Sequence, residues 1–426
     1  MRKLLAVVVA LMLIATVSPA AFATNGTQLI GIGPISRSMG GVGIAAPQDA
    51  ISAVFANPAA MCFGPYCPSS QFDFAGTIFM PEQKAEVQAS GQSAKAESRD
   101  QNYAIPAIGF SVPIGEADTR WRFGLSAYGV SGLGVDYRDT NIDQTTPSGA
   151  PLATGTYTNL QLMKFAPTIA YQALPNLSVG TSFQINYSTL DLGEGSTAAY
   201  SYGVQVGVLY KPLDQLSLGL TYTSPQEAKY NHVANLDQSK PGKEDLKLEQ
   251  PQQVGLGVAY EFLKPRLLLE TNVKWINWSD AKGFEDFDWN DQWVFALGGQ
   301  WEAIDHLFFR VGYNYAENPV DEHNNWNGAF TPAGVPLETV NVQGSSIPRY
   351  FYETFRVIGF PAIVEHHMTA GIGYEFGESL ILNFSYMHAF ENTLTETTNS
   401  GPDGNDAKVK SKLYEDSLSF AFTWRF

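Results

Sequence analysis

The sequence predicts an all-β fold, a 14-stranded antiparallel transmembrane β-barrel with an N-terminal hatch (plug) domain. Three observations predict it. Fourteen segments alternate apolar and polar residues with a period of two; the links between them are short and long in turn; and a Gly- and Ala-rich stretch without alternation precedes them.

The chain opens with Arg2 and Lys3, an apolar run from Leu4 to Val17, and the small-x-small site Ala21-Phe22-Ala23 after Pro19. Residues 1–23 are read as a secretory signal peptide, so the mature chain begins at Thr24 and works outside the cytoplasm. Residues 24–69 form the hatch. Gly31, Gly33, Gly40, Gly41 and Gly43 are followed by Ala45, Ala46, Ala50, Ala53, Ala56, Ala59 and Ala60. Such a segment packs closely inside a lumen and cannot build a core alone. Cys62 and Cys67 bracket Phe-Gly-Pro-Tyr, and an oxidising periplasm favours a disulfide between them.

Residues 70–426 form the barrel, with strands expected at 70–81, 103–113, 121–130, 157–172, 176–188, 199–211, 216–224, 249–262, 266–278, 292–302, 307–316, 366–376, 379–390 and 416–426. Between 177 and 188 one face reads Leu177, Val179, Thr181, Phe183, Ile185, Tyr187, and the other Ser178, Gly180, Ser182, Gln184, Asn186, Ser188. The first face suits lipid and the second a lumen. A soluble β-sandwich would show the same alternation, but its Greek-key crossings do not sort links into tight turns on one rim and long loops on the other. Tyr187, Tyr200, Tyr202, Tyr210, Trp275, Trp278, Trp293 and Trp301 fall near strand ends, as interfacial girdles require. The terminal Phe426 closes an aromatic strand of the kind that the bacterial barrel-assembly machinery recognises.

Composition narrows the function. Charged residues are 16% of the chain, below the roughly 25% of soluble domains. A net charge of -16 leaves no clustered cations for nucleic acid. The six His are scattered, and no nucleophile elbow, catalytic carboxylate pair or metal-ligand spacing is present. The reading is a chain that is not an enzyme, needs no cofactor and holds no metal. On the inward-facing parity, Lys164, Lys274 and Arg310 are the cations able to hold a ligand carboxylate, unless neighbours such as Glu270 balance them.

The run Gly31-Ile32-Gly33-Pro34-Ile35-Ser36-Arg37-Ser38-Met39-Gly40-Gly41, then Asp49-Ala50 and Asn57-Pro58-Ala59, resembles the hatch of the FadL/TodX family. Trp275-Ile276-Asn277-Trp278-Ser279 and Arg310-Val311-Gly312-Tyr313-Asn314-Tyr315 extend the resemblance into the barrel. The resemblance implies an outer-membrane channel for passive uptake of long-chain fatty acids or, alternatively, aromatic hydrocarbons such as toluene. It also implies lateral release through a gap at a kinked third strand, here over Gly129, Gly132 and Gly134. The expected partners are the hydrophobic ligand, outer-membrane lipid and lipopolysaccharide, and the assembly machinery, with the protein acting as a monomer. The loop at 189–198 is short for the family's external ligand groove, and the aromatic-rich loop 317–365 is its expected replacement. A surface adhesin or structural outer-membrane protein is the competing class.

Overall fold

The computed structural model describes residues 25–62, 70–99, 102–115, 120–146, 149–236, 242–262 and 266–426. The leader 1–23 and the Cys62–Cys67 pairing lie outside the described residues and side chains. The barrel strands are β1 Gln71–Ala89, β2 Tyr103–Ile114, β3 Trp121–Asp136, β4 Tyr157–Leu174, β5 Leu177–Asp191, β6 Thr197–Leu213 and β7 Leu216–Thr223. They continue with β8 Gln253–Phe262, β9 Leu267–Ile276, β10 Gln292–Ile304, β11 Leu307–Ala316, β12 His366–Phe376, β13 Leu380–Thr398 and β14 Ala407–Arg425. The sheet has fifteen strands, of which fourteen form the ring; the fifteenth, Gln92–Glu97, folds back on β1. β14 pairs with β1 from Arg425↔Gln71 to Lys408↔Gln88, which closes the ring of strands.

All fourteen expected strands are present in order. Four extend six or more residues past the predicted end: β1 runs to Ala89, β3 to Asp136, β13 to Thr398, and β14 starts at Ala407. The outer ends of β1, β13 and β14 carry charged or polar rather than apolar outward residues, and the end of β3 loses its alternation, so these segments read as loop. The hairpin Gln226–Ala234/Glu244–Gln250 and the helix Arg349–Thr354 also sit within stretches read as loops.

Outward side chains are apolar and exposed: Val311 is 64% accessible, Leu297 56% and Phe384 55%. A water-soluble surface rarely carries so continuous an apolar belt, whereas lipid covers it at no cost. Inward side chains such as Ser178, Ser182 and Asn186 are fully buried, so the lumen is filled. The filling is residues 25–62, which touch all fourteen strands. Tyr187, Tyr200, Tyr202, Tyr210, Trp293 and Trp301 face outward as expected. Trp278 does not. It is buried beneath the external loops in a cluster with Phe284 and Trp289, and its Nε1 donates to Gln292 Oε1 at 2.9 Å.

Candidate functional site

The internal segment contains α1 (Gly33–Ser38), started by Pro34, and α2 (Ala50–Ala56), whose first turn is capped by Asp49. Asp49 Oδ1 accepts from Ser52 N at 2.6 Å, and Asp73 Oδ2 of β1 accepts from Ala50 N at 2.7 Å. Burial raises the Asp49 carboxyl above its ordinary range, against the hydrogen bonds from Ser52 and the Arg310 charge. Each residue of the hatch motif has a seat. Asn57 Nδ2 donates to Ile44 O at 2.8 Å and to Val208 O of β6 at 3.2 Å, while its Oδ1 accepts from Ala59 N at 3.0 Å. Ser178 Oγ donates to Ala59 O at 2.7 Å. The wall meets this turn with glycine, because a β-carbon at Gly180 or Gly207 would overlap Pro58 or Asn57. Gly40 and Gly41 have φ +71° and +84°, and Gly40 N donates to Thr369 Oγ1 at 3.0 Å. Arg37 Nη2 donates to Ser417 Oγ at 2.6 Å; burial pushes its guanidinium down to about 10, against the Glu415 charge.

β3 departs from the wall. β2 and β3 pair only as far as Ala107↔Tyr128. Beyond that pair, Tyr103–Pro106 bonds only to β1, and β3 continues with β4 alone, through a register shift between Gly129 and Ser131. Inside–outside alternation on β3 stops at the same place, and Tyr128 through Asp136 are all buried. This is an inward kink that leaves a window between β2 and β3. The free edge of β3 is taken by the N-terminus of the internal segment. Leu29 N donates to Val130 O at 3.1 Å, Gly132 N to Thr27 O at 3.0 Å, and Ser131 Oγ to Thr27 Oγ1 at 2.8 Å. The three expected kink glycines therefore differ. Gly129 lies at the bend, where a β-carbon would meet Ile105 Cγ2 at 2.8 Å; Gly132 bonds the internal segment; Gly134 lies in regular pairing with Asn159. Leu29, Tyr103, Ile105, Val130 and Leu162 fill the window with apolar side chains.

A cavity of about 50 Å³ adjoins the window, between the internal segment and the wall. Tyr128 and Val130 line it from the window side, and Lys164 and Lys274 from the wall. Lys164 Nζ donates to Gln184 Oε1 at 2.8 Å. Among the described residues no carboxylate pairs with either lysine. Glu270, expected to balance them, instead accepts Gly43 N at 3.0 Å and Ala45 N at 2.8 Å. Sequence reasoning missed the glutamines of the lining, which lie beside Ile44, Phe55, Ala56, Thr221 and Thr223. Gln226 donates to Gln184 at 2.9 Å, Gln184 to Gln205 at 3.2 Å, and Gln253 to Gln28 at 2.7 Å. Arg310 is not part of this cavity. Its Nε donates to Gln300 Oε1 at 2.6 Å and its Nη1 to Asn383 Oδ1 at 2.8 Å.

The external mouth is closed. In loop 317–365, Tyr350, Phe351, Tyr352 and Phe360 are buried rather than displayed, and Tyr350 OH reaches Leu152 O in the opposite loop. Glu353 binds His323 at 3.0 Å, Arg349, and Arg356 at 3.1 Å, and Arg356 also binds Glu396 of β13. Burial pushes the Glu353 carboxyl up, but His323 and the two arginines outweigh it and hold the group below its ordinary range. The ligand atoms of His323, Glu353 and Glu396 lie within 4.8 Å of one another. Arg356 contacts both carboxylates, which makes the cluster an ion-pair clasp rather than a metal centre.

A sealed lipid-facing barrel with a filled lumen and a window at a kinked strand defines a class, the hydrophobic-compound channels of the bacterial outer membrane. The sequence matches the family described as "Outer membrane protein transport protein (OMPP1/FadL/TodX)" over residues 11–200 and 188–327, and the chain belongs to that family. Among solved structures it is similar to the Pseudomonas putida toluene transporter TodX, with 18% identity, TM-score 0.63, and 93% of this chain and 99% of that one covered. It is similar also to a Pseudomonas aeruginosa FadL homologue, with 17% identity, TM-score 0.64, and 95% and 99% covered. The Ralstonia pickettii toluene transporter TbuX gives 17% identity, TM-score 0.62, and 93% and 99% covered. No curated protein matches the sequence.

Proposed function

We propose that the chain takes up long-chain fatty acids passively, binding the carboxylate at Lys164 and Lys274 and releasing the ligand sideways between β2 and β3. Residues 24–69 act as the hatch, the protein works as a monomer, and no enzymatic step is involved. The observation that carries this reading is the pair of lumen lysines on one cavity beside the window, neither matched by a carboxylate. Two like charges in one buried pocket are costly without an anion, and a carboxylate supplies it.

Size decides what else must happen. An apolar cavity that takes benzene measures roughly 150 Å³, so the present 50 Å³ admits no hydrocarbon unless the hatch moves. Withdrawing Thr27–Leu29 from β3 breaks two backbone hydrogen bonds and one hydroxyl pair, at about 0.5–1.5 kcal/mol each. Burying a long acyl chain at roughly 0.8 kcal/mol per CH₂ gains on the order of 10 kcal/mol. A single aromatic ring gains only about 1.5–3 kcal/mol, comparable with the cost. The acyl ligand can drive the opening; the ring barely can.

Equilibrium binding of oleate and oleyl alcohol to wild type, Lys164→Ala and Lys274→Ala tests the assignment. Oleate affinity should fall roughly ten- to hundredfold, the worth of a charge-assisted hydrogen bond, and the alcohol should be unaffected. Unchanged oleate binding in both variants overturns it. The second reading rests on the printed names of TodX and TbuX as toluene transporters. Toluene uptake that ignores both lysines, with no oleate binding in wild type, would establish that reading instead.

A further inference from the structure

We propose that the outer face of the seam between β1 and β14 is a binding site for the phosphates of lipid A, the phosphorylated glycolipid of the surrounding leaflet. The seam carries five lysines. Lys84 lies on β1, Lys95 on the folded-back strand Gln92–Glu97, and Lys408, Lys410 and Lys412 on β14. The β14 lysines share the outward parity of Leu418, Phe420, Phe422 and Trp424, and Lys84 that of Phe72, Phe74 and Ile78. The cations therefore cap the lipid-facing column.

Their height places them at phosphate level. From the aromatic pair Phe72↔Trp424 to the pair Lys84↔Lys412 the ladder advances twelve residues. At about 3.3 Å per residue and a tilt of roughly 40°, that is a rise of about 30 Å, against an apolar band about 25 Å tall. The lysines sit just above the band, among the headgroups.

Within the protein four of the five lysines meet a carboxylate, two of them sharing Glu86. Lys84 and Lys412 are direct cross-strand partners, a like-charge placement that destabilises a ladder unless an anion compensates it. Lys84 reaches Glu97 at 2.9 Å and Lys412 reaches Glu391 at 2.5 Å, while Glu86 is shared by Lys95 at 3.0 Å and Lys408 at 3.4 Å. Among the described residues Lys410, opposite Glu86 in register, has no ion pair. Lys229, Lys247 and Lys282, on the external hairpin and its neighbour, each meet Asp245 or Glu227, and none lies in this groove. Lys84, Lys95, Lys410 and Lys412 line a groove of about 510 Å³ together with Glu86 and Glu97, so cations exceed carboxylates there by two. A phosphate monoester offers several acceptor oxygens and could bridge the like-charged pair.

The inference rests on the barrel and its membrane, not on the fatty-acid reading. Full-length protein in nanodiscs would be titrated with bisphosphorylated lipid A, dephosphorylated lipid A and phosphatidylglycerol. The variants are Lys84→Gln/Lys410→Gln/Lys412→Gln and, as a control of equal charge loss, Lys229→Gln/Lys247→Gln/Lys282→Gln. The expected result is that wild type and control retain bisphosphorylated lipid A, while the seam variant loses roughly tenfold or more. Wild type should prefer the phosphorylated lipid to both others. Equal loss in the control, no loss in the seam variant, or equal capture of dephosphorylated lipid A or phosphatidylglycerol by wild type overturns the site. The lipid comparison uses wild type alone and decides the matter even if a variant fails to assemble.

Discussion

Asn57 holds the internal segment to the wall through both ends of its amide, donating to Ile44 and Val208 and accepting from Ala59. Asn57→Ala strips these partners and leaves buried carbonyls unpaired, a loss of about 2–4 kcal/mol from seating of the segment. Hydrogen exchange across residues 44–59 should accelerate while the barrel strands stay protected; unchanged exchange would remove Asn57 from this role. The motif was legible because Asn-Pro-Ala is distinctive, and strand parity put Lys164 and Lys274 on the inner wall correctly. Parity could not tell a free cation from a committed one. Arg310 faces inward as expected yet is bound by Gln300 and Asn383. The glutamines around the lysines carried no signal of their own, since an inward Gln in a barrel strand is ordinary. Trp278 was misplaced because an aromatic near a strand end suits an interfacial girdle and a loop core equally.

β3 is the element on which sequence and structure agree in outline and differ in detail. Closely spaced glycines announced a bend, but the bend falls at Gly129 and the next residue, and the lost ladder is replaced by Thr27–Leu29, a hundred residues earlier in the chain. Local pattern does not report so distant a partner. Tying the two together is informative: Thr27→Cys/Ser131→Cys replaces side chains whose oxygens are 2.8 Å apart, within disulfide reach. The oxidised double variant should bind ligand poorly and transport none, and reductant should restore both. Full transport in the oxidised state would show that this edge need not open. The long ends of β1, β13 and β14 were hidden for another reason. Above the bilayer the outward residues turn from Phe72 and Phe74 to Lys84 and Glu86, so the strand persists while its apolar signature stops.

For the whole molecule, the fourteen strands and their order followed from the alternation and the two link lengths, because a closed barrel in lipid permits few alternatives. The external closure was not legible. It depends on a clasp assembled from three separated stretches, with Arg356 buried between Glu353 and Glu396. Arg356→Ala leaves Glu396 without its cation in a dry site, while Glu353 keeps Arg349 and His323, and should weaken the closure by about 3–5 kcal/mol. Limited proteolysis of intact cells should then cut within 317–365 while the barrel strands remain intact. Protection equal to wild type would mean that the aromatic packing below is sufficient by itself.

The internal segment touches every strand, and the ring closes only where the last strand meets the first. An occupant keyed to all sides of a cylinder has no straight path in once the cylinder is shut, since the glycine seats grip it from opposite walls at once. Its insertion and the zipping of the final ladder are therefore one event: the polypeptide must wind its barrel around a body already in position, as a cooper raises staves about a form.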